Sequence, residues 1–456
     1  MSAPLIWIVF PAAVGLLLYP FRRRATAITL IGSLIALLLA VAAWFLPIAE
    51  PVLIGSWSFE ITDRLVIAGR QFVLTQDALR ILALVYLAAA FWFFGSLGAG
   101  VHRMFVPLGL GIVATLTAAF SVRPFLYAAL LIGWAVLLSV PLVSPPGKAV
   151  STGVLRFLTF QMLGIPFLLF AGWLLRGAEG ASVESEVALR AAILIAAGFA
   201  FWLAIFPLYS WIPMLAEGVH PYLAAFTLST IPGVIMLLFL GFLNRYPLLQ
   251  NADTLQLIGV LMVATGGFWA AFQRHLGRLL GYAVILSIGH AILAVSLPAG
   301  TGMYFALIFS RVLALGLWGL SLSALHTYRS DLSFKQVQGL GRRLPLAALG
   351  LMLAHFSMAG FPLLAGYPIY QALWRDLASV APQIALWTLL GSVGLMAGGL
   401  RTMAVLAMGR DVEGEEHLVL SRPTRVLILM GILGLFLAGL FPQWLLPYLI
   451  DLPAGF

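Results

Sequence analysis

Continuous apolar stretches of about twenty residues, the length needed to cross a bilayer as a helix, recur along this chain from one end to the other. That feature admits few folds. In hydrocarbon every backbone N–H and C=O must be satisfied within the chain, so only helices or closed barrels span a membrane. The stretches here are unbroken and do not alternate, which is the pattern of helices. Composition agrees: 62% of residues are hydrophobic and 9% charged, where a soluble domain has about 25% charged residues. The fold class is therefore an all-α polytopic membrane protein. The chain has no cysteine, which excludes disulfides, thiol catalysis and cysteine-ligated zinc or iron–sulfur clusters. The net charge of +9 lies in short loops between spans, so it reads as membrane topology and not as a nucleic-acid surface.

The pattern predicts about fourteen transmembrane helices, at 4–20, 25–47, 74–98, 105–121, 124–143, 151–175, 187–206, 221–242, 254–273, 278–298, 302–325, 345–373, 383–408 and 423–450. The N-terminal stretch has its arginines after the apolar run and no evident cleavage site, so it reads as a retained first helix. The loop at 48–76 is rich in β-formers and predicts an extramembrane hairpin. Fifteen Lys and Arg lie on the side of Arg22, Arg23 and Arg24, and eight on the other. The basic side is the cytoplasmic one, which puts both termini outside, as an even number of spans requires.

Two short segments echo one another. FPLYSWIP at 206–213 and FPLLAGYP at 361–368 share Pro207, Leu208 and Pro213 with Pro362, Leu363 and Pro368. Proline lacks an N–H and its ring clashes with the preceding turn, so each segment breaks a helix. Paired breaks predict a duplication: an N-terminal part over 1–104, a first repeat over 105–242, a second over 254–408, and a loop with the last helix over 409–456. Counted in spans, the first break falls in or near the third helix of its repeat and the second in the fourth. Five spans is an odd number, so the two repeats are inverted relative to one another, each with a broken helix, a recurring transporter architecture.

Ionisable residues inside spans are costly and mark function by default. Of those within the predicted spans, the candidates are His290, Arg311, His355 and Arg401. The histidines titrate near neutrality and are proton-path candidates, although a neutral His bonded to a neighbouring helix is the plainer role. Arginine stays protonated, so Arg311 and Arg401 can only set a potential, bond carbonyls or repel cations. The acidic run DVEGEEH at 411–417 reads as a solvated loop, with a docking surface as the lesser alternative. No phosphate-binding loop, metal-ligand spacing or nucleophile motif occurs, so no catalytic, metal or cofactor site is expected in the chain.

The order and spacing of several motifs resemble the antiporter-like membrane subunits of complex I (NADH:quinone oxidoreductase), relatives of Mrp-type antiporter subunits and of membrane-bound hydrogenases. The motifs are FWLAIFPLYSWIPMLAEGVHPYLAAFTLS at 201–229, GRLLGYAVI at 277–285, SMAGFPLLAGY at 357–367 and GLGRRLP at 339–345. The absence of a long extension after the last span favours an N-type subunit, with M-type next. The resemblance implies a place among other membrane-arm subunits of a multisubunit complex in the bacterial inner membrane, with no redox site in this chain. It also implies a proton path of buried Lys and Glu, and there the sequence departs from the family. Ala135 stands at the position of the fifth-helix Glu, Trp202 at that of the Lys before the first break, and Tyr209 at that of the following His. Pro232, Gly277, Leu315 and Tyr370 stand where further basic residues belong. The scaffold is kept while its titrating side chains are missing, so the expected function is a structural subunit with impaired or absent proton translocation. The alternatives are an ion-translocating subunit with a rerouted path, or a part of a membrane-bound hydrogenase, an Mrp-type antiporter or a carbon-uptake complex.

Overall fold

The computed structural model describes residues 2–54, 57–144, 147, 149–177, 186–245, 250–298, 300–409 and 419–452; the acidic run at 411–417 lies outside them. The helices, in order, are α1 (Leu5–Leu18), α2 (Ala25–Phe45), α3 (Gln76–Ala99), α4 (Phe105–Ser121), α5 (Leu126–Val143), α6 (Thr152–Gly177), α7 (Glu186–Trp202), α8 (Trp211–Gly218), α9 (Pro221–Arg245) and α10 (Ala252–Phe272). There follow α11 (Leu276–Val295), α12 (Gly300–His326), the short α13 (Phe334–Val337) and α14 (Leu340–Arg343), α15 (Pro345–Met358), α16 (Tyr367–Val380), α17 (Pro382–Ala407), α18 (Arg422–Leu440) and α19 (Leu446–Ile450). Among the described residues, ten helices are long and apolar enough to cross a bilayer, while α1, α4 and α15 are shorter apolar helices.

The loop after α2 forms two hairpins where the sequence suggested one. Strands β1 (Pro51–Ile54) and β2 (Trp57–Glu60) pair antiparallel, as do β3 (Arg64–Ile67) and β4 (Arg70–Val73). The two-residue β5 (Val122–Arg123), between α4 and α5, joins β4 and ties this cap to the bundle.

The two interruptions divide equivalent elements. Counting from α4, the pair α7–α8 is the fourth helix; counting from α10, the pair α15–α16 is also the fourth. The expectation of a break in the third helix of the first repeat is corrected accordingly. The eight-residue α8 is too short to register as a span of its own, and it is α6, packed along both α7 and α8, that shows the two as halves of one crossing. Packing follows the same pattern in both sets. α4 lies on α5 as α10 lies on α11, and α6 contacts both α7 and α8 as α12 contacts both α15 and α16. The axis of the bundle is α9, α11 and α12: the apolar window of α9 is 94% buried, against 17% for α18 at the periphery.

Lipid supplies no hydrophobic drive for helices to associate, so close backbone approach through small residues does much of the work. α10 and α17 meet at Gly267 and Gly391, where a Cβ on Gly267 would stand 1.9 Å from the Gly391 carbonyl oxygen. Scattered polar bonds tie the remaining helices. The Trp7 indole donates to Leu39 O (3.0 Å), Tyr222 Oη to Trp92 O (2.8 Å) and Thr424 Oγ1 to Gly98 O (2.8 Å).

Candidate functional site

The first interruption begins where α7 stops at Trp202. Ala204 takes a positive φ of 53°, Phe206–Pro207 is cis, and a single 3-10 turn over Leu208–Ser210 leads into α8. Pro213 lies in the first turn of α8, where its missing N–H would be unpaired in any case. A helix end leaves carbonyls without intrahelical donors, and here they sit in the membrane interior. Gln161 of α6 solves this: its amide donates to Trp202 O at 3.2 Å, and the Trp202 indole N–H donates back to Gln161 O at 2.9 Å. Both side chains are buried, and the indole lies where a Cβ on Gly164 would come within 2.5 Å of it. Trp202 is thus locked between α6 and α7. Ala135 on α5 is wholly buried among apolar side chains, Tyr209 is half-buried, and Pro232 sits inside α9.

Below the break, α8 packs on α11 at van der Waals limits. A Cβ on Gly277 would meet Ala216 O at 2.4 Å, and one on Gly281 would meet Pro213 Cα at 2.6 Å. Gly277, at a position where the family resemblance implied a basic residue, is therefore a contact point between helix backbones. Arg278 beside it pairs with Glu217 at the end of α8 (2.7 Å). His275, the residue preceding α11, accepts the Gly277 N–H on Nδ1 (3.2 Å) and sets Nε2 against Asp331 Oδ1 at 3.4 Å. Its pKa is lowered, first by burial, with Glu217 and Asp331 opposing. The neutral tautomer with hydrogen on Nε2 satisfies both contacts. Asp331 is held below the usual carboxylate range, chiefly by the Ser333 hydroxyl.

The second interruption is built from different chemistry. α15 ends at Met358, Gly360 and Leu363 adopt positive φ (78° and 72°), and α16 starts at Tyr367 with Pro368 in its first turn. Ser357 Oγ accepts the Gly366 N–H across the gap at 3.2 Å. Pro362 lies in the gap itself, as Pro207 does in the first break.

Around this gap the buried ionisable residues collect. Tyr370 on α16 packs against His290 of α11 with ring centroids 4.5 Å apart and the rings tilted by 34°. His290 Nδ1 donates to Leu286 O (3.0 Å), which leaves Nε2 as an acceptor with no hydrogen-bond partner. Arg311 is buried on α12, which packs against both α11 and α16. Its Nη2 donates to Leu228 O of α9 at 2.7 Å, while Nε has no partner. Tyr304 donates to Gly233 O one turn further along α9 (2.9 Å). No Asp or Glu is buried among the described residues, so Arg311 faces carbonyl and phenol dipoles alone. His355 on α15 directs Nε2 at Leu395 O (2.8 Å) and stacks on Trp318 at 4.5 Å.

The four candidates of the sequence do not form one group. His290 contacts Tyr370, and Arg311 lies on α12, which packs against the helices of both. His355 forms a separate contact with α12 and α17. Arg401 lies apart: its Nη1 donates to Ala271 O at the end of α10, and its guanidinium stands 5.7 Å from the Phe334 ring. Leu315 is wholly buried in α12. Sequence reading missed Gln161, Tyr304 and Trp318. Gln161 had a signal, an amide side chain within an otherwise apolar helix, which has to find a partner in hydrocarbon. Tyr304 and Trp318 had none, because aromatic residues occur throughout these spans.

Comparison with known proteins places this geometry. The profile of the family described as NADH:quinone oxidoreductase/Mrp antiporter, TM, matches residues 148–395, which hold both interruptions and the axis between them. NADH-quinone oxidoreductase subunit N of Moorella thermoacetica is 25% identical over 328 residues, 67% of each chain. The subunit N of Rickettsia felis is 32% identical over 200 residues, 40% of this chain and 43% of that one. In shape, a chain of the Mrp complex from Dietzia sp. DQ12-45-1b superposes with a TM-score of 0.82 at 16% identity, covering 99% of this chain and 96% of that one. A chain of respiratory complex I from Thermus thermophilus with bound NADH gives 0.77 at 22% identity, covering 99% and 97%. At those identities the likeness is one of fold. The family match spans more than half the sequence, and the chain belongs to the NADH:quinone oxidoreductase/Mrp antiporter transmembrane family.

Proposed function

We propose that this chain is an antiporter-like subunit in the membrane arm of a complex I-type assembly, in a bacterial inner membrane with both termini outside, and that the proton route through its first interruption is closed. Its role there is structural. One observation carries the reading: Trp202 is buried and hydrogen-bonded both ways to Gln161, at the position where the resemblance implies a lysine. Proton transfer needs groups that gain and lose protons within hydrogen-bond reach of one another. An indole, a wholly buried Ala135 and an in-helix Pro232 offer none. The repeated packing of α4–α9 and α10–α17 supports the reading of two five-helix units about a common core. The relatives by fold come from multisubunit membrane complexes, which supports neighbouring subunits as partners, with electron transfer carried out elsewhere in the assembly.

A second reading has its own observation. The free Nε2 of His290, whose ring packs on Tyr370, is an acceptor at the second interruption, and a path confined to that half would use it. Arg311, always protonated, would act as a fixed charge. Reconstituting the purified assembly in vesicles and counting protons moved per electron separates the readings. The structural role expects a ratio below that of assemblies whose antiporter-like subunits all carry the buried Lys and Glu, unchanged by His290→Phe. An equal ratio overturns it, and a ratio lowered by His290→Phe favours the second reading.

A further inference from the structure

A cavity of about 270 Å³ lies between α3, α9 and α12, toward the ends of these helices that carry Gln76, Arg245 and Gly300. Its walls include Ala88 and Trp92 of α3, Gly233 and Leu237 of α9, and Phe309 and Leu313 of α12. Among the described residues, Ser229 and Thr230 bring the hydroxyls of its wall, and Ser229 Oγ and the Trp92 indole nitrogen are buried without a hydrogen-bond partner. Leu87, at its rim on α3, is 42% exposed, so the cavity opens sideways between α3 and α12. Ser229, Thr230 and Trp92 supply too few polar groups to hydrate the whole space, since a buried water needs two to four polar partners, and the hydrocarbon remainder of the wall suits an apolar guest. The medium outside the rim, at the depth of the central turns of three spanning helices, is lipid hydrocarbon.

We propose that this cavity seats one acyl chain of a membrane phospholipid, entering between α3 and α12. The chemistry of the wall selects the occupant: it is hydrocarbon and aromatic, uncharged, and open to the bilayer. Its position gives the occupant a task. The wall residues Phe309, Val312 and Leu313 flank Arg311, Ser229 follows the Leu228 carbonyl that Arg311 binds, and Gly233 carries the carbonyl bound by Tyr304. A hydrocarbon chain held there seals the lipid side of the Arg311 layer and keeps water from the Arg311–Leu228 bond.

The test uses the full chain in phospholipid vesicles containing a phosphatidylethanolamine with a diazirine near the end of one acyl chain. Irradiation is followed by mapping of labelled peptides. Parallel arms use a diazirine-bearing isoprenoid alcohol as probe, and the chain within its native assembly. The expected result is labelling within 84–92, 229–237 and 305–313 about tenfold above that at the exposed Leu429 and Leu433 of α18, equivalent to about 1.4 kcal/mol of preference. Gly233→Leu should abolish the excess and leave α18 labelling unchanged. A Cβ at Gly233 meets only Ile308 Cδ1, at 3.1 Å, so the added side chain has the cavity to enter. Ala88→Phe fills it from α3 and repeats the test if the first variant does not fold. Uniform labelling of all lipid-facing helices overturns the proposal, as does an excess that survives both variants. An excess with the isoprenoid probe alone overturns it too, as does loss of labelling in the native assembly, which would assign the cavity to a partner side chain.

Discussion

The two interruptions use one backbone device for two kinds of chemistry. Each stops a helix, carries a proline in the gap and another in the first turn of the half-helix beyond. At the first, Trp202 and Gln161 bond to one another's backbone carbonyls, Gly277 and Gly281 close on the backbone of α8, and the buried polar atoms left without a partner, Gln161 Oε1 and Trp211 Nε1, belong to an amide and an indole that do not titrate. At the second, a histidine acceptor, two tyrosines and an arginine without a carboxylate share the interior. Breaking a helix therefore does not in itself create a polar site. It exposes backbone groups, and neighbouring side chains decide whether those are sealed or kept available.

The sharpest way to break this contrast is to place a charge in the sealed half. Trp202→Lys should destabilise the folded chain by about 3–5 kcal/mol, the cost of an uncompensated buried charge, read as a lowered thermal midpoint in detergent. A neutral outcome would mean that the first break is wet and the distinction collapses. Gly281→Leu comes next, since its side chain would run into the Pro213 backbone. Overpacking of this kind costs about 1–3 kcal/mol or more, and full stability would show that α8 is not clamped to α11. Gln161→Leu strips the donor from the Trp202 carbonyl, and leaving a buried carbonyl unpaired should cost about 1–3 kcal/mol. The equivalent change across the second break, Ser357→Ala, affects a half-helix start with more polar neighbours and should cost less; the reverse order would undo the comparison.

The smallest effect lies at the surface end of α11. His275 has a lowered pKa in the folded chain, so its neutral form stabilises that end fully above its ordinary value of 6.5. That contribution fades as pH falls through the depressed folded value, because the unfolded chain binds the proton first. Hydrogen exchange at Gly277–Leu280, corrected for intrinsic rate, should show easier opening toward pH 5, by under about 1 kcal/mol for a surface contact of this kind. His275→Asn should flatten that dependence, since an Asn side chain also caps a helix start.

Much of this was legible beforehand. Long apolar stretches gave the membrane class, and the paired prolines located both gaps. Counting showed that no Lys lies between Lys148 and Lys335 and no Asp or Glu between Asp77 and Glu179. The spans 105–121, 124–143, 151–175 and 187–206 already make the helix at the first break the fourth of its repeat, so placing it third was a miscount; what hydropathy cannot register is a half-helix as short as α8. Partnerships were not legible either. In a soluble protein, polarity marks the outer face of a helix; in a bilayer the outer face is apolar too. Trp134, 58% exposed, and Ala135, fully buried, are adjacent and equally hydrophobic in character.

By itself the sequence determined that the chain crosses a bilayer many times, where two of its crossings stop, and which charges it lacks. Tertiary structure alone decided that Gln161 meets Trp202, that Arg311 reaches Leu228, that His290 lies on Tyr370, and that three helices leave a lipid-facing cavity. The reason is physical. Local periodicity reports what a residue avoids, which here is water everywhere along the spans, whereas hydrogen-bond partners and voids arise only from which helices lie side by side.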